Sequence, residues 1–261
     1  MGSAGNERNG APRIMATKSS TAPAHCLAGY KGIRAVTFDV GGTLIEPWPS
    51  VGHVYAEVAG RHGCAGVSIE ALNRQFAAAW RALKCFNYTR QEWARVVEAT
   101  FFGLIDGAPT RTFFSELYDR FSEPGAWRIF PDVLTTLKAL RARGLMLGVI
   151  SNWDRRLGPL LRRLKLEGHF DVVVVSCHVG APKPAQAIFE QAARRLRIPP
   201  EAILHVGDDL DLDVRGAQAA GLQSVWLRRG EEANRRGRIR TLNELWEPHA
   251  GVVAGRVPCR E

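Results

Sequence analysis

Two patterns of hydrophobic and polar residues divide the chain. Across residues 50–122, apolar side chains recur at helical spacing, and no alternation or apolar run typical of a strand interrupts them. Ser68, whose hydroxyl can cap a helix, stands just before the clearest of these patterns, which covers residues 69–83. The same spacing predicts two further helices, near residues 91–104 and 112–121. This part of the chain is therefore expected to be all helical.

Short apolar and β-branched runs of strand length make up the other pattern. The first covers residues 33–39 and stops at the turn-forming pair Gly41-Gly42. After residue 122 such runs alternate with helical segments: strands are predicted over residues 145–150, 171–176, 203–206 and 222–227, and helices over residues 131–143, 154–166, 184–196 and 211–220. Apolar strands separated by helices of this length indicate a parallel sheet covered on both faces. The predicted fold class is α/β, a doubly wound, Rossmann-like parallel sheet with an inserted all-helical cap.

These patterns predict four segments. Residues 1–30 are rich in small residues and proline and lack periodicity, which predicts a disordered leader. Residues 31–47 and 124–247 form the predicted core, residues 48–123 the helical cap, and residues 248–261 a flexible tail.

Charge and cysteine content change the picture little. The formal net charge is +9, from 35 Lys and Arg against 26 Asp and Glu. Residues 1–30 carry a net +2 and residues 228–261 a net +3, so the excess lies mainly in the ends, and no specific nucleic-acid partner is expected. No apolar run approaches the roughly 18 residues of a membrane span. Five cysteines without a CxxC pair favour a reducing, cytoplasmic compartment, and the oligomeric state is left open.

Chemically useful residues follow four of the predicted strands. Residues 39–43, which include Asp39 and Thr43, follow the first strand; Ser151 and Asn152 follow the second; Lys183 lies in the loop after the third; Asp208 and Asp209 follow the fourth. Ligands of open parallel sheets bind beyond the carboxyl ends of the strands, so these residues are expected to meet at one edge. The glycines among them let backbone N–H groups approach an anion closely.

This order of residues resembles the haloacid dehalogenase superfamily over about residues 33–247. The family's four motifs match Phe38-Asp39-Val40-Gly41-Gly42-Thr43-Leu44, Val149-Ile150-Ser151-Asn152, Lys183-Pro184, and Val206-Gly207-Asp208-Asp209 with Asp213. The helical insert resembles the family's C1 cap. Residues 150–157 and 127–132 look most like the branch called haloacid-dehalogenase-like hydrolase domain-containing protein 3.

The resemblance implies a Mg²⁺-dependent phosphatase of small phosphorylated metabolites. Asp39 matches the nucleophile that forms an aspartyl-phosphate. The implied Mg²⁺ ligands are Asp39, Asp208 and the carbonyl of Gly41, and Lys183 would neutralise developing charge and hold Asp39. The implied substrate-binding residues are Thr43, Ser151 and Asn152. Asp209 and Asp213 would orient Lys183 or a metal-bound water.

Gly41 departs from the family pattern. Family phosphatases carry a second Asp at this position, as general acid and base, and losing such a group costs about 10²–10⁴-fold in rate. Three interpretations follow: a slow or leaving-group-selective phosphatase, a phosphonatase-like hydrolase, or a catalytically impaired binding module. Phosphonatase chemistry would need a cap lysine, and Lys84, the lysine of this cap, is expected to be a helix-surface residue. Asp208 argues against a metal-free dehalogenase. A backbone with positive φ is the simplest structural reason for glycine at position 41.

The aromatic residues of the cap are expected mainly to pack its interior. Two tryptophans beside the motifs, Trp48 and Trp153, are the expected exceptions, because they lie close enough to motifs one and two to line a substrate pocket. The residues expected to pack inside are Tyr55, Trp80, Phe86, Tyr88 and Trp93.

Overall fold

The computed structural model describes Leu27 and residues 30–83, 86–230 and 237–247. Its strands are β1 (Ala35–Phe38), β2 (Ile45–Pro47), β3 (Trp127–Ile129), β4 (Met146–Ser151), β5 (Val172–Val175), β6 (Ile203–Gly207), β7 (Gln223–Leu227) and β8 (Arg238–Ile239). Six of them form a sheet in the order β5-β4-β1-β6-β7-β8, and every neighbouring pair is parallel.

Ten α-helices belong to the described residues. They are α1 (Val51–Arg61), α2 (Ile69–Arg81), α3 (Arg90–Phe101), α4 (Pro109–Thr112), α5 (Phe114–Arg120), α6 (Val133–Ala142), α7 (Leu157–Arg163), α8 (Ser176–Val179), α9 (Gln186–Leu196) and α10 (Gly216–Ala219). Ser68 caps α2 as predicted, since its hydroxyl accepts a hydrogen bond from the N–H of Ala71.

The sheet is buried because its strands are apolar on both faces. All four residues of β1 are buried, and so is most of β5, which consists of four valines. One apolar cluster includes Phe38, Leu137 and Leu160, and a second includes Phe189 and Ile203. The chain runs to one side of β1 through β4 and β5 and to the other through β6 and β7, so β1 lies where the order reverses. This is the doubly wound fold that the alternating pattern predicted.

Helices α1–α5, which we call the cap, lie between β2 and β3. These two strands pair with each other in an antiparallel ribbon, with Pro47 opposite Trp127. The cap has an apolar cluster of its own, which includes Tyr55, Leu72 and Phe101. The chain therefore leaves the core and returns to it through adjacent strands.

Several predicted elements differ from the structure. The helix predicted over 154–166 is shorter, because Asp154 and Arg156 bind each other before α7 begins. The helix predicted over 211–220 is divided into a π-helical turn, Leu210–Arg215, and α10. The ribbon of β2 with β3 and the edge strand β8 were not predicted, since three- and two-residue strands carry no readable alternation.

The start of the packed chain lies earlier than predicted. Leu27 is fully buried in the core cluster, and the hydroxyl of Tyr30 donates a hydrogen bond to the carbonyl of Ser224 at 3.0 Å. Both residues fall in the segment expected to be a disordered leader. The rest of that segment and the expected tail, 248–261, lie outside the described residues. Among the described residues, no helix is long and apolar enough to cross a membrane.

Candidate active site

Asp39 lies at the carboxyl end of the central strand β1, and two side chains hold its carboxylate. Lys183 Nζ donates to Asp39 Oδ1 at 2.6 Å, and Ser151 Oγ donates to the same oxygen at 3.0 Å. Asp39 and Lys183 are both buried. Within the described part of the chain, no side chain is hydrogen-bonded to Asp39 Oδ2. Two side chains thus fix one oxygen of the Asp39 carboxylate.

A buried polar chain continues from Lys183 into the sheet. Lys183 Nζ donates to Asp213 Oδ1 at 2.5 Å, and the same oxygen lies 3.2 Å from His205 Nε2. The other ring nitrogen of His205 lies 3.0 Å from the hydroxyl of Thr37. Asp213 also accepts the backbone N–H of Asp209 on its second oxygen at 3.0 Å. Both oxygens of Asp213 are therefore occupied by protein donors.

Asn152 fixes the backbone of Lys183. Its side-chain amide donates to the Lys183 carbonyl at 3.0 Å, and its side-chain oxygen accepts the Lys183 N–H at 2.7 Å. This pair of bonds joins the loop after β4 to the loop after β5. Asn152 therefore holds the backbone of Lys183 against the end of β4.

Asp208 completes a group of three carboxylates. Oxygens of Asp39, Asp208 and Asp213 all lie within 4.8 Å of one another. The hydroxyl of Thr43 approaches Asp208 Oδ1 at 3.5 Å. Gly42 has φ +77°, and a Cβ there would lie 2.4 Å from Asp208 Oδ2. Glycine at position 42 is thus required by both backbone conformation and space.

Negative charge is in excess at this site. Burial, reinforced by the nearby Asp39 and Asp213, raises the pKa of Asp208 to about 7. Burial alone would also raise the pKa of Asp213, but Lys183 and His205 outweigh it and hold that pKa well below its usual range. Although burial opposes it, the two carboxylates Asp213 and Asp39 raise the pKa of Lys183. Three acids around one ammonium form a donor set suited to a hard cation. We call Asp39, Ser151, Lys183, Asp208 and Asp213 the floor.

A cavity of about 370 Å³ lies between the floor and the cap. Its wall is largely aromatic, and Trp153 and Trp127 contribute from the core side with ring centroids 5.3 Å apart. Tyr88 of the cap also lines the cavity, and burial raises the pKa of its phenol to about 12. The position of Trp153 on the cavity wall agrees with the expectation from the sequence.

The expectation that Trp48 lines the cavity is wrong. Its side chain is 42% exposed and stacks beneath the guanidinium of Arg128, 3.6 Å from the ring centroid. Conversely, Trp80, Tyr88 and Trp93, expected to pack inside the cap, line the cavity. Tyr55 is buried in the apolar cluster of the cap as expected, and it also borders the cavity. Helical spacing shows which residues share a face of a helix, but it does not show which face turns toward the core.

One ionic cluster joins the core to the cap. Arg156 forms a two-pronged pair with Asp154, with Nε–Oδ1 at 2.9 Å and Nη2–Oδ2 at 2.7 Å. The Tyr118 hydroxyl, from α5, donates to Asp154 Oδ2 at 3.0 Å, and its carbonyl accepts from Arg156 Nη1 at 2.5 Å. This contact was not predicted, because Tyr118 lies 36 to 38 positions from its partners along the chain.

Two predicted site residues hold other positions. Asp209 accepts the N–H groups of Asp211 and Leu212, both at 2.8 Å, so its carboxylate caps the π-helical turn and does not bind Lys183. Thr43 is fully buried beneath Asp208 and is not on the cavity wall, so nothing places its hydroxyl on a substrate. Its proximity to Asp208 suits a supporting role.

Gly41 does not have the positive φ that would require glycine. A Cβ at this position would lie 3.5 Å from Trp153 Cζ3, an ordinary van der Waals contact. Position 41 thus has room for the first atom of a side chain. Lys84, the lysine considered for phosphonatase chemistry, lies outside the described residues.

His205 and Thr37 were missed by sequence reasoning. Both are polar residues inside otherwise apolar, fully buried strands. A buried polar group requires a hydrogen-bond partner, so polar residues in such strands indicate a buried hydrogen-bond network.

A protein-family model described as haloacid dehalogenase-like hydrolase matches residues 33–221. The chain belongs to the haloacid dehalogenase-like hydrolases. The match spans all the floor residues and the strands that carry them.

Similar proteins agree with this assignment. The chain is 38% identical over 204 residues to haloacid dehalogenase-like hydrolase domain-containing protein 3 of Mus musculus, covering 74% of this chain and 80% of that protein. It is 29% identical over 225 residues to phosphoglycolate phosphatase of Escherichia coli O157:H7, covering 78% and 84%. Among solved structures, the HAD-hydrolase YfnB from Bacillus subtilis superposes with a TM-score of 0.68 at 21% identity, covering 82% of this chain and 97% of that one. Relatives of this chain thus include a named phosphatase.

Proposed function

We propose that the protein is a Mg²⁺-dependent phosphatase that acts through an aspartyl-phosphate at Asp39. The observation that carries the proposal is the Asp39 carboxylate, which lines the cavity and is fixed at one oxygen by Lys183 and Ser151. Similarity to a protein named phosphoglycolate phosphatase supports the same reaction class.

The donor set fits Mg²⁺. Mg²⁺ prefers hard oxygen ligands and usually keeps several waters. Lys183, His205 and the Asp209 N–H already bind the two oxygens of Asp213. Asp39 and Asp208, together with the Gly41 carbonyl, are therefore the proposed ligands, and Asp213 orients Lys183. Bound Mg²⁺ would supply positive charge that offsets the repulsion between the substrate phosphate and the floor carboxylates.

Asp39 performs the first chemical step. Its free oxygen attacks phosphorus, a bond forms between carboxylate and phosphoryl group, and the bond from phosphorus to the leaving-group oxygen breaks. Lys183 and Ser151 hold the other oxygen, so the attacking oxygen is positioned before the substrate arrives. In the second step a water attacks phosphorus, phosphate leaves, and the carboxylate is restored.

Gly41 sets the limits of this chemistry. No side chain at position 41 can protonate the leaving group or activate the water. Substrates whose leaving group departs readily as an anion are therefore favoured over alkyl phosphates.

A turnover assay tests the proposal. Phosphate release from acetyl phosphate is measured with Mg²⁺ and with EDTA, on wild type, Asp39→Asn and Asp211→Asn. Asp211 is an exposed acid of the π-helical turn Leu210–Arg215. Asp211→Asn therefore serves as the control for loss of a carboxylate away from the floor. We expect Mg²⁺-dependent release by wild type and Asp211→Asn, and none by Asp39→Asn.

Trapping the intermediate gives a second readout. Intact-protein mass spectrometry after brief exposure to acetyl phosphate is expected to detect one added phosphoryl group on wild type and none on Asp39→Asn. Absence of both turnover and adduct would reject the phosphatase and favour a catalytically impaired binding module. Turnover of a phosphonate instead of phosphate esters would favour phosphonatase-like chemistry.

A further inference from the structure

The cavity wall opposite the floor is formed by flat aromatic side chains. Trp80 of α2 lies at its centre: its ring stacks on Trp93 with centroids 5.6 Å apart and planes 18° apart, and on Phe76 at 6.1 Å and 15°. Tyr88 meets Trp80 edge-on at 6.3 Å. Rings held by one another in this way are rigid, so they offer contact area at little cost in conformational entropy.

Aromatic side chains also come from the core side. Trp127 and Trp153 lie on the cavity wall next to the floor, and Trp153 approaches position 41. A ligand whose phosphate rests on the floor must therefore extend its remaining atoms between aromatic surfaces. Offset-stacked or edge-to-face pairs with such surfaces favour another flat ring.

Positive charge for a second anionic group is absent from the described lining residues. Their cations are Lys183 and Arg156. Lys183 is bound to Asp39 and Asp213. Arg156 is bound by Asp154 and by the Tyr118 carbonyl, and it lies 3.5 Å over the Tyr118 ring. A carboxylate on the leaving group would lose its hydration and gain no free cation in exchange.

Gly41 imposes a matching chemical requirement. With no acid at position 41, the leaving-group oxygen must depart with the electron pair of the broken P–O bond and take its proton later from water. A phenol has a pKa of about 10, whereas water, whose conjugate base is hydroxide, has a pKa of about 15.7. A phenolate is therefore a much weaker base than hydroxide. An aryl oxygen is thus both the better leaving group and the better fit to the wall.

From the wall, the charges and Gly41 together, we infer that the substrates are phosphate monoesters of uncharged aromatic alcohols, phenols above all. This inference rests on the proposed phosphatase function and names its substrate class. It also separates the protein from the phosphoglycolate phosphatase to which it is similar, because the leaving group of phosphoglycolate carries a carboxylate.

Three substrates separate the contributing effects. 1-Naphthyl phosphate has an uncharged aromatic leaving group, and acetyl phosphate has a good leaving group without a ring. Phosphoglycolate has a leaving group that carries a carboxylate. With Mg²⁺, kcat/KM for 1-naphthyl phosphate is expected to exceed that for phosphoglycolate by at least about 100-fold, the scale of discrimination by buried polar mismatches and pocket fit.

Variants of Trp80 test the wall directly. Trp80 is 38% exposed, so its removal is tolerated better than that of a fully buried ring. Trp80→Ala is expected to lower the ratio of kcat/KM for 1-naphthyl phosphate to that for acetyl phosphate about tenfold, and Trp80→Phe to restore most of it. Phe102→Ala, at an 83% exposed position outside the cavity, is the control and is expected to leave the ratio unchanged.

Binding without turnover provides an independent readout. In the Asp39→Asn protein, 1-naphthyl phosphate is expected to quench tryptophan fluorescence at lower concentration than phosphoglycolate does. Equal turnover of all three compounds with a ratio unaffected by Trp80→Ala would overturn the substrate class and leave the phosphatase intact. Failure to hydrolyse any of them would overturn both.

Discussion

The floor and the wall of the cavity are specified in different ways. Every floor residue lies at the carboxyl end of a strand or in the segment that follows it, and all of them except Asp208 are joined to one another by hydrogen bonds. The wall is formed largely by faces of cap helices, and its members contact each other mainly ring to ring. Strand ends thus hold the ionic groups of the cavity, and helix faces supply its aromatic surface. Changes to the floor should alter stability and reaction together, whereas changes to the wall should alter selectivity.

The largest effect is expected from Lys183. Lys183→Met leaves Asp39 and Asp213 buried without their shared cation, and breaking such a buried pair costs about 3–5 kcal/mol. Urea denaturation in EDTA measures the loss. Lys138→Met, at an exposed lysine of α6, is the control and is expected to change the free energy of unfolding by less than about 0.5 kcal/mol. If Lys183→Met lowers the free energy of unfolding by less than about 1 kcal/mol, the ion pairs of Lys183 with Asp39 and Asp213 do not stabilise the floor.

Asp208 should link stability to Mg²⁺. At about 100 times its dissociation constant, a ligand of the folded state stabilises by about 2.7 kcal/mol. We expect Mg²⁺ to raise the melting temperature of wild type and to leave that of Asp208→Asn almost unchanged. An equal shift in both proteins would remove Asp208 from the proposed ligands.

Without Mg²⁺, Asp208 should also make stability depend on pH. Burial and its acidic neighbours raise its pKa from 3.8 to about 7 in the folded protein. Over that interval the unfolded chain loses the proton while the folded one keeps it, so stability falls as the pH rises from about 4 to about 7. Thermal unfolding in EDTA is expected to show this fall in wild type and a smaller one in Asp208→Asn.

Gly41→Asp should change which phosphate esters the site hydrolyses. Because Gly41 does not need a positive φ and a Cβ there has room, the variant is expected to fold. It should raise turnover of alkyl phosphates about tenfold, a part of the 10²–10⁴ of general acid catalysis, and change acetyl phosphate less. Asp39→Asn in the same background must abolish the gain. A folded, Mg²⁺-binding variant that hydrolyses nothing would argue against the phosphatase.

The smallest effect concerns the contact between cap and core. Tyr118→Phe removes the hydroxyl that donates to Asp154, a loss of about 0.5–1.5 kcal/mol. Tyr30→Phe removes a comparable hydrogen bond within the core and is the matched control. Hydrogen exchange is expected to accelerate in α5 only in the Tyr118 variant. Equal exchange in both would mean that this bond does not hold the cap.

The floor was largely predictable, since β-strand patterns identify the positions that end at the same edge. Asp39, Ser151, Asn152, Lys183 and Asp208 all lie there. The choice between Asp209 and Asp213 was not predictable. Both belong to one short segment, and only its π-helical path turns Asp213 toward Lys183 and leaves Asp209 as a cap.

The wall was not predictable in the same way. Trp48 and Trp80 are both tryptophans of the predicted cap, yet one lies outside under Arg128 and the other faces the cavity. Their positions depend on how the whole cap docks on the core, a long-range arrangement to which contacts such as Tyr118 with Asp154 contribute. The burial of Leu27 was unpredictable for a similar reason. A single apolar residue has no periodicity, and its burial depends on contacts with the folded core.

The ribbon of β2 and β3 has a consequence for how such a protein changes over evolutionary time. Pro47 pairs with Trp127, and the Trp48 N–H donates to the Ala126 carbonyl at 2.9 Å, so the two ends of the cap are side by side. An insert whose ends are adjacent can be exchanged without stretching the host. Recombination at these two points would replace the whole cap in one event and leave the floor untouched.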